Sequence, residues 1–283
     1  MLADFYQRTL ERGDKNKKCE GRAFYMILRR LGNKQGIADK IQTYFPAHKI
    51  YIEPFFGAGG MFFNKRKAKY NIVNDLDSDV FNLFQVVTNR KDELIEAFKQ
   101  MPIHQDLMDY WNKNKETDEI RKALRFLLLS NYGYMGKPET IGMQITLPSQ
   151  QILKNIDKTF ELLFNVKFSN KDFRKFLKVI AFRNENEVTE TFIYADSPYL
   201  NTVDTYSDSD VWTEKDVIDL FEALTETKCK WAMSEFNHPF ILQQAEKRGL
   251  NVIIIGERQN LKNRRTEILV TNYKNPLSLF DGV

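Results

Sequence analysis

Short apolar strands alternate with helical sequence in two separate blocks of this 283-residue chain. The strand-like runs cover residues 49–55 and 70–75 in the first block and 191–196, 230–235 and 251–256 in the second. Helices are expected to start near Gly59 and Ser78. Such alternation is typical of a parallel sheet with crossover helices. A last run, residues 266–273, is expected to pair at the sheet edge, so the pattern predicts an α/β fold.

The segment between the blocks, residues 89–165, has helical periodicity instead. Four apolar residues recur there at the spacing of one helix face: Ile120, Leu124, Leu127 and Leu128. We interpret this segment as a mainly helical insertion, with residues 1–88 and 166–283 forming the main domain. With 42% hydrophobic residues, a chain of this length can bury a sizeable core.

Composition argues against several classes of protein. The two cysteines, Cys19 and Cys229, lack Cys-x-x-Cys or Cys/His spacing, so neither a disulfide framework nor a zinc site is indicated. No apolar run reaches the roughly 18 residues that a membrane span needs, and the N-terminus lacks the apolar region of a signal peptide. We therefore expect a cytoplasmic protein without a metal and without membrane association.

Positive charge is concentrated in short clusters. The net charge is +4, and basic clusters occur at residues 16–22, 29–34, 64–69 and 258–265. Such clusters are either solvated surface or part of a nucleic-acid-binding surface. Lys262, Arg264 and Arg265 of the last cluster are of the type that contacts phosphates.

A glycine motif follows the first predicted strand. Phe55, Gly57 and Gly59 form an F-x-G-x-G pattern, in which the glycines let the backbone turn tightly and approach a ligand. Phe62 rules out the longer G-x-G-x-x-G dinucleotide motif, and no Gly-Lys-Ser/Thr follows to make a phosphate-binding loop.

The second predicted strand ends on Asp75. This position, about 20 residues after the glycines, is where a Rossmann-like fold places a carboxylate that accepts hydrogen bonds from ribose hydroxyls. An adenosine-containing cofactor is therefore indicated. Alternatively, Asp75 and Asp77 cap the helix that begins near Ser78.

The strand at residues 191–196 delivers Asp196 and then stops at Ser197, Pro198 and Tyr199. A carboxylate, a rigid turn and an aromatic ring in succession can hold a flat polar group. The other interpretation is an ordinary proline turn after a strand.

The order F-x-G-x-G and then D-x-P-Y resembles the Dam-type (D12 class) S-adenosylmethionine-dependent DNA adenine-N6 methyltransferases, whose mark is D-P-P-Y. Residues 29–46 also resemble the family's N-terminal K-W-x-G-G-K segment, and residues 72–84 resemble the stretch after its first βα unit. The resemblance implies a Rossmann-like methyltransferase sheet, mostly parallel with an antiparallel edge strand. It also implies S-adenosylmethionine as cofactor, double-stranded DNA as partner, and residues 89–165 as the target-recognition domain.

The resemblance assigns roles to individual residues. The residues that it implies for the cofactor are Lys34, Glu53, Phe55, Gly57, Gly59, Asp75, Asp172, Phe173 and Asp196. Lys34 would help to hold the methionine part. Asp172 and Phe173 would flank the adenine, although a capped helix start explains that pair equally simply. Two positions depart from the family: Arg30 stands where tryptophan is usual, and Ser197 replaces the first proline of D-P-P-Y.

The implied catalytic segment is Asp196, Ser197, Pro198 and Tyr199. The Asp196 carboxylate and the Ser197 carbonyl would accept hydrogen bonds from the amino group of a flipped-out adenine, while Tyr199 stacks on the base. Tyr206 and Trp212 would cover the flipped nucleotide or pack within the protein.

Three functions stay open. The first is site-specific DNA adenine methylation in a bacterial or phage-infected cell, where a restriction endonuclease is a conceivable partner that nothing in the sequence indicates. The second is methylation of RNA or of another amino group. The third is nucleic-acid binding without catalysis.

Overall fold

The computed structural model describes residues 26–30, 33–134, 137–142, 148–200, 211–259 and 264–274. The strands are β1 (Ile50–Glu53), β2 (Tyr70–Asn74), β3 (Gly133–Tyr134), β4 (Lys137–Ile141), β5 (Val166–Ser169), β6 (Thr191–Ala195), β7 (Lys230–Phe236), β8 (Asn251–Gln259) and β9 (Arg264–Thr271). The helices are α1 (Ala38–Gln42), α2 (Ser78–Asn89), α3 (Lys91–Gln100), α4 (Gln105–Lys113), α5 (Glu119–Tyr132), α6 (Ser149–Leu163), α7 (Phe173–Lys178), α8 (Glu185–Thr189), α9 (Glu214–Glu226) and α10 (Pro239–Lys247). Single 3-10 turns form at Lys34–Gly36 and Phe62–Asn64.

The main sheet has seven strands in the order β5-β2-β1-β6-β7-β9-β8. The pairs from β5 through to β7 are parallel, whereas β9 runs antiparallel to both of its neighbours. This is a doubly wound, Rossmann-like sheet, and the fold class predicted from the sequence is confirmed. The antiparallel strand lies one position in from the edge, because β8 pairs along its outer side.

Each face of the sheet is covered by its own hydrophobic core. Along β6, Phe192 and Tyr194 belong to one core, whereas Ile193 and Ala195 belong to the other. Successive side chains of a strand point to opposite faces, so a strand buried on both sides is apolar at every position. This burial explains why the strand sequences are continuous apolar runs that end abruptly on polar residues.

The helical segment packs against α2 and extends one of these two cores. Trp111 of α4 and Phe84 of α2 belong to the same buried cluster as Tyr51 of β1. The four residues predicted to share a helix face, Ile120, Leu124, Leu127 and Leu128, are all buried in α5. A short antiparallel hairpin, β3–β4, follows α5 and was not predicted from the sequence.

Two further elements differ from the sequence predictions. The helix expected from Gly59 is a single 3-10 turn, because Gly59 has φ +73° and cannot enter a right-handed helix, and Lys65 is already extended. The second difference is β5, a four-residue strand that pairs with β2 alone. Only four residues with weak burial alternation form it, which leaves little periodicity to detect.

Candidate active site

Three loops that carry predicted site residues meet at the carboxyl ends of β1, β2 and β6. Strand β1 lies between β2 and β6, and the chain leaves it toward β2. Since strand order changes direction at β1, the crevice there is the switch point where open α/β sheets bind ligands. The loops after these strands carry Gly57, Asp75 and Asp196 respectively.

The glycine loop is shaped by two left-handed residues. Gly57 has φ +53° and Gly59 has φ +73°. A Cβ added at Gly59 would lie 2.3 Å from the Phe63 ring, so Gly59 is required by packing. A Cβ at Gly57 would meet nothing within 4 Å, which leaves the backbone there open to a ligand.

Asp75 is tied to this loop. Its Oδ2 accepts a hydrogen bond of 2.6 Å from the Gly57 N–H, and its Oδ1 accepts one of 2.9 Å from the Asp77 N–H. Burial raises the pKa of Asp75 to about 6, an effect that the nearby Arg30 charge and the two N–H donors reduce. The N-cap of α2 is Asp77, which accepts a hydrogen bond from Asp79 N–H. Of the two carboxylates, Asp77 is therefore the cap and Asp75 lies in the crevice.

Lys34 contacts the predicted catalytic segment directly. Its side chain is only 2% exposed, and its Nζ donates a hydrogen bond of 2.5 Å to Asp196 Oδ1 and another to the Tyr199 hydroxyl. Among the described residues, the second carboxylate oxygen, Asp196 Oδ2, accepts no hydrogen bond. Within the described residues, the geometry thus leaves one oxygen of Asp196 without a donor, and it places Lys34 against Asp196. The role of Lys34 toward the cofactor stays a prediction.

The rest of the tetrapeptide is partly or fully buried. Ser197 and Tyr199 are buried and Pro198 is half-buried. The Tyr199 ring meets Phe236 edge-on, with 4.2 Å between centroids, and burial beside Asp196 holds its pKa well above the usual range. The stacking role of Tyr199 stays a prediction.

Two buried glutamates beside this segment were not predicted from the sequence. Glu267 Oε1 accepts a hydrogen bond of 2.5 Å from the Tyr199 hydroxyl and lies 3.4 Å from Lys34 Nζ. Glu235 accepts a hydrogen bond from the Leu200 N–H, and burial raises its pKa to about 7. Their only signal in the sequence is a charged residue inside an apolar strand, which is seldom buried without a partner.

Glu53 ends β1 at the floor of the crevice and is buried. Tyr51 donates a hydrogen bond of 2.8 Å from its hydroxyl to Glu53 Oε2. Burial, with a further contribution from the Asp196 charge, raises the pKa of Glu53 well above its usual range. The residue therefore lies among the predicted site residues, and its role toward a cofactor stays a prediction.

Three aromatic rings meet at one end of the crevice. Phe55 lies 5.4 Å from Phe173 and 5.8 Å from Trp212, between ring centroids. Trp212 is thus packed against two predicted cofactor residues. Asp172 is the N-cap of α7, where it accepts a hydrogen bond from Arg174 N–H, so the capped helix start is present.

An open cleft of about 590 Å³ lies beside Asp75. Its lining residues are Leu76, Asn170, Lys171, Asp172, Lys175, Lys178 and Val179. Asn170 Nδ2 donates hydrogen bonds to the carbonyls of Asp75 and Leu76, which fixes the wall between the loop after β2 and the loop after β5. The exposed Leu76 gives the cleft an apolar surface next to a carboxylate.

The predicted nucleic-acid contacts are only partly described. Tyr206 and Lys262 lie outside the described residues, as does the side chain of Arg264, whose backbone belongs to β9. Arg265 is exposed, and its guanidinium lies 5.2 Å from the centroid of the Phe236 ring. Because Phe236 also contacts Tyr199, this positive charge lies close to the catalytic segment.

Two negative findings concern the described ranges. No helix in them is long and apolar enough to cross a membrane. They also hold no group of three or more His, Cys, Asp or Glu side chains suited to a metal ion.

A family model described as D12 class N6 adenine-specific DNA methyltransferase matches residues 31–270. The chain belongs to this family. The matched region includes the glycine loop, Asp75, the Asp196 segment and Glu267. The resemblance inferred from the two short motifs is thereby confirmed.

Individual relatives of this D12 member match over shorter regions. A DNA adenine methylase of Escherichia coli (strain K12) is 32% identical over 125 residues, which cover 41% of this chain and 43% of the relative. The match therefore spans less than half of that relative. The type II methyltransferase M.MjaIII of Methanocaldococcus jannaschii is 29% identical over 208 residues, which cover 61% of this chain and 68% of that relative. A solved structure of a putative methyltransferase from Streptococcus mutans has a TM-score of 0.39 and 9% identity. The match covers 83% of this chain and 94% of that structure's chain.

The two departures from the D12 pattern have local explanations. Arg30, where the family usually has tryptophan, forms an ion pair of 2.9 Å with Asp77 and places a cation near Asp75. Ser197 is buried and, like proline, provides a backbone carbonyl acceptor.

Proposed function

We propose that this chain transfers a methyl group from S-adenosylmethionine to N6 of adenine in duplex DNA, after the base flips out of the helix. The observation that carries the proposal is the state of Asp196. Lys34 occupies its Oδ1 at 2.5 Å, and Oδ2 accepts no hydrogen bond from the part of the chain that the structure describes. A fixed acceptor at the carboxyl end of β6, next to the switch-point strand β1, suits the amino group of a flat base.

The crevice fits S-adenosylmethionine, which when bound supplies a methyl group on a positively charged sulfur. The open backbone at Gly57 would give room for the methionine part, and Asp75, which also accepts the Gly57 N–H, would accept hydrogen bonds from the ribose. The cleft lined by Leu76 and Asp172 would hold the adenine. Carboxylates outnumber cations around Lys34, which favours a ligand that carries positive charge.

Asp196 and Ser197 prepare the target nitrogen. The lone pair of adenine N6 is delocalised into the ring, so the amino group is a weak nucleophile. Asp196 Oδ2 and the Ser197 carbonyl accept hydrogen bonds from the two N–H groups of this amino group. These bonds direct the lone pair toward the methyl carbon. S-adenosylmethionine would supply the methyl carbon and keep the electrons of the broken S–C bond on its sulfur, and N6 would lose one proton on the Asp196 side.

DNA binding is assigned to the positive charge near the catalytic segment. Arg265 is exposed on β9, two residues from Glu267, so both lie on the same face of that strand. In this scheme its guanidinium contacts a phosphate next to the flipped nucleotide.

Transfer of labelled methyl from S-adenosylmethionine to duplex DNA, single-stranded RNA and duplex RNA tests this function. We expect incorporation into duplex DNA, recovered as N6-methyladenine after digestion to nucleosides. Incorporation into RNA alone would support an RNA methyltransferase. DNA binding without incorporation into any substrate would support a relative that lacks catalysis.

A further inference from the structure

Two buried glutamates hold the end of the catalytic segment from neighbouring strands. Glu235 lies on β7 and Glu267 on β9, and each is only 1% exposed. In the antiparallel register, Glu267 lies opposite Phe236, the residue after Glu235. The two carboxylates therefore lie at the same end of the sheet as Asp196.

Glu267 holds the side chains. Its Oε1 accepts a hydrogen bond of 2.5 Å from the Tyr199 hydroxyl and lies 3.4 Å from the Lys34 Nζ that contacts Asp196. Lys34 also donates a hydrogen bond to the Tyr199 hydroxyl. Glu267, Tyr199, Lys34 and Asp196 thus form a continuous network that is buried except at the half-buried Asp196.

Glu235 holds the backbone. Its Oε1 accepts a hydrogen bond of 2.7 Å from the Leu200 N–H, and its Oε2 accepts one of 2.6 Å from the Phe236 N–H. Leu200 directly follows Tyr199. The segment is therefore fixed at the Tyr199 hydroxyl and again at the next backbone amide.

Strand direction explains how β9 reaches this site. The parallel strands bring their carboxyl ends to the crevice, whereas β9 runs the other way and brings its amino-terminal half there. Glu267 is in that half of Arg264–Thr271. Burial of a carboxylate is unfavourable unless its hydrogen bonds are made, so two such residues on the neighbouring strands β7 and β9 indicate a role beyond packing.

Building on the proposed function, we propose that Glu267 and Glu235 are positioning residues for methyl transfer. They act through Tyr199, Lys34 and Leu200, and they hold Asp196 with Oδ2 directed toward the target amino group. Neither glutamate contacts the reacting atoms in this scheme. Their loss should slow the transfer step more than it weakens binding of cofactor or DNA.

Hydrogen–deuterium exchange tests the positioning without any substrate. The peptide that covers residues 195–200 should exchange at least about fivefold faster in Glu267→Gln and in Glu235→Gln than in the wild type. The control is Glu246→Gln, which changes an exposed glutamate of α10 and should leave that peptide unchanged. Equal exchange in all four proteins would overturn the proposal.

Single-turnover transfer to duplex DNA, with cofactor and DNA saturating, tests the consequence. Glu267→Gln should reduce the rate constant at least about tenfold, while both dissociation constants stay within about threefold. Tyr199→Phe removes only the hydroxyl. The double variant Glu267→Gln with Tyr199→Phe should transfer methyl no more slowly than the slower of the two single variants, because both changes break the same network. A normal rate in Glu267→Gln, or fully additive losses, would contradict the positioning role.

These two experiments separate the two proposals. Wild-type protein that transfers no methyl group to DNA would refute the proposed function, while the exchange data would still decide whether the glutamates hold the segment. If Glu267→Gln does not fold, Tyr199→Phe replaces it in both the exchange and the single-turnover experiment. In that case unchanged exchange and an unchanged rate would refute the inference.

Discussion

Lys34 and Asp196 are 162 positions apart in the sequence, yet the Lys34 Nζ donates a hydrogen bond of 2.5 Å to Asp196 Oδ1. This bond joins the N-terminal segment to the carboxyl end of β6. Because it engages one carboxylate oxygen, it sets the orientation of the other. The activity proposed for this D12 chain depends on that orientation.

Removal of Lys34 should therefore cost stability as well as activity. Lys34→Met leaves the Asp196 and Glu267 carboxylates without their shared cation, and breaking a buried pair in this way typically costs about 3–5 kcal/mol. Urea denaturation measures the free energy of unfolding. Lys230→Met is the control, since Lys230 is exposed at the start of β7 and its loss should change stability by less than about 0.5 kcal/mol. Equal stability of the two variants would contradict the network.

The role of Asp75 should be visible in cofactor binding and in its pH dependence. Asp75→Ala should weaken S-adenosylmethionine binding by about 1–3 kcal/mol, the cost of an unmet polar contact. Since the pKa of Asp75 is raised to about 6, wild-type affinity should also fall as the pH is lowered through that value. Calorimetry at about pH 8 and about pH 5 should show this dependence in the wild type and a weaker one in the variant. Unchanged affinity in the variant would show that Asp75 does not contribute to cofactor binding.

The two glycines of the loop should differ in what they support. Gly59→Ala places a Cβ 2.3 Å from the Phe63 ring and should destabilise the fold by more than the roughly 1–2 kcal/mol of a left-handed residue alone. The Cβ of Gly57→Ala meets no neighbouring atom, so this variant should lose only that amount of stability. Its main effect should be weaker cofactor binding. Thermal unfolding and calorimetry on both variants separate the effects. The reverse pattern would mean that Gly57 does not face the ligand.

Glu235 should make stability depend on pH in the neutral range. Its pKa is raised to about 7, above the value of 4.5 for an ordinary glutamate, so the folded state binds more protons than the unfolded state between these values. The free energy of unfolding should therefore fall as the pH rises, by roughly 2–3 kcal/mol between about pH 5 and about pH 8. Glu235→Gln should flatten this dependence in urea denaturation. If the free energy of unfolding of Glu235→Gln depends on pH as steeply as that of the wild type, another group causes the pH dependence.

The sequence predicted those parts of the fold and site that short-range patterns encode. Continuous apolar runs identified the strands that are buried on both faces, and the polar residues that end them, Asp75 and Asp196, lie in the crevice because parallel strands share a carboxyl edge. The F-x-G-x-G pattern likewise predicted a tight turn, and Gly57 and Gly59 both have a left-handed backbone there.

The rest depends on contacts between distant segments. Glu235 and Glu267 become site residues only because β9 inserts beside β7, and strand order is not encoded in either strand's own periodicity. Trp212 packs on Phe55 for a similar reason, since α9 and α7 lie together on one face of the sheet. Sequence spacing could not indicate that Lys34 contacts Asp196, because the two residues are 162 positions apart.

The most direct test of the proposed chemistry is single-turnover methylation of duplex DNA by wild type and Asp196→Ala, with S-adenosylmethionine saturating and DNA affinity measured in parallel. We predict N6-methyladenine formation by the wild type and a rate at least about 100-fold lower in Asp196→Ala, the scale of losing one transition-state contact. DNA affinity should stay within about threefold, because phosphate contacts depend on other residues. Substantial transfer by Asp196→Ala would show that the segment after β6 is an ordinary proline turn and would contradict the proposed mechanism.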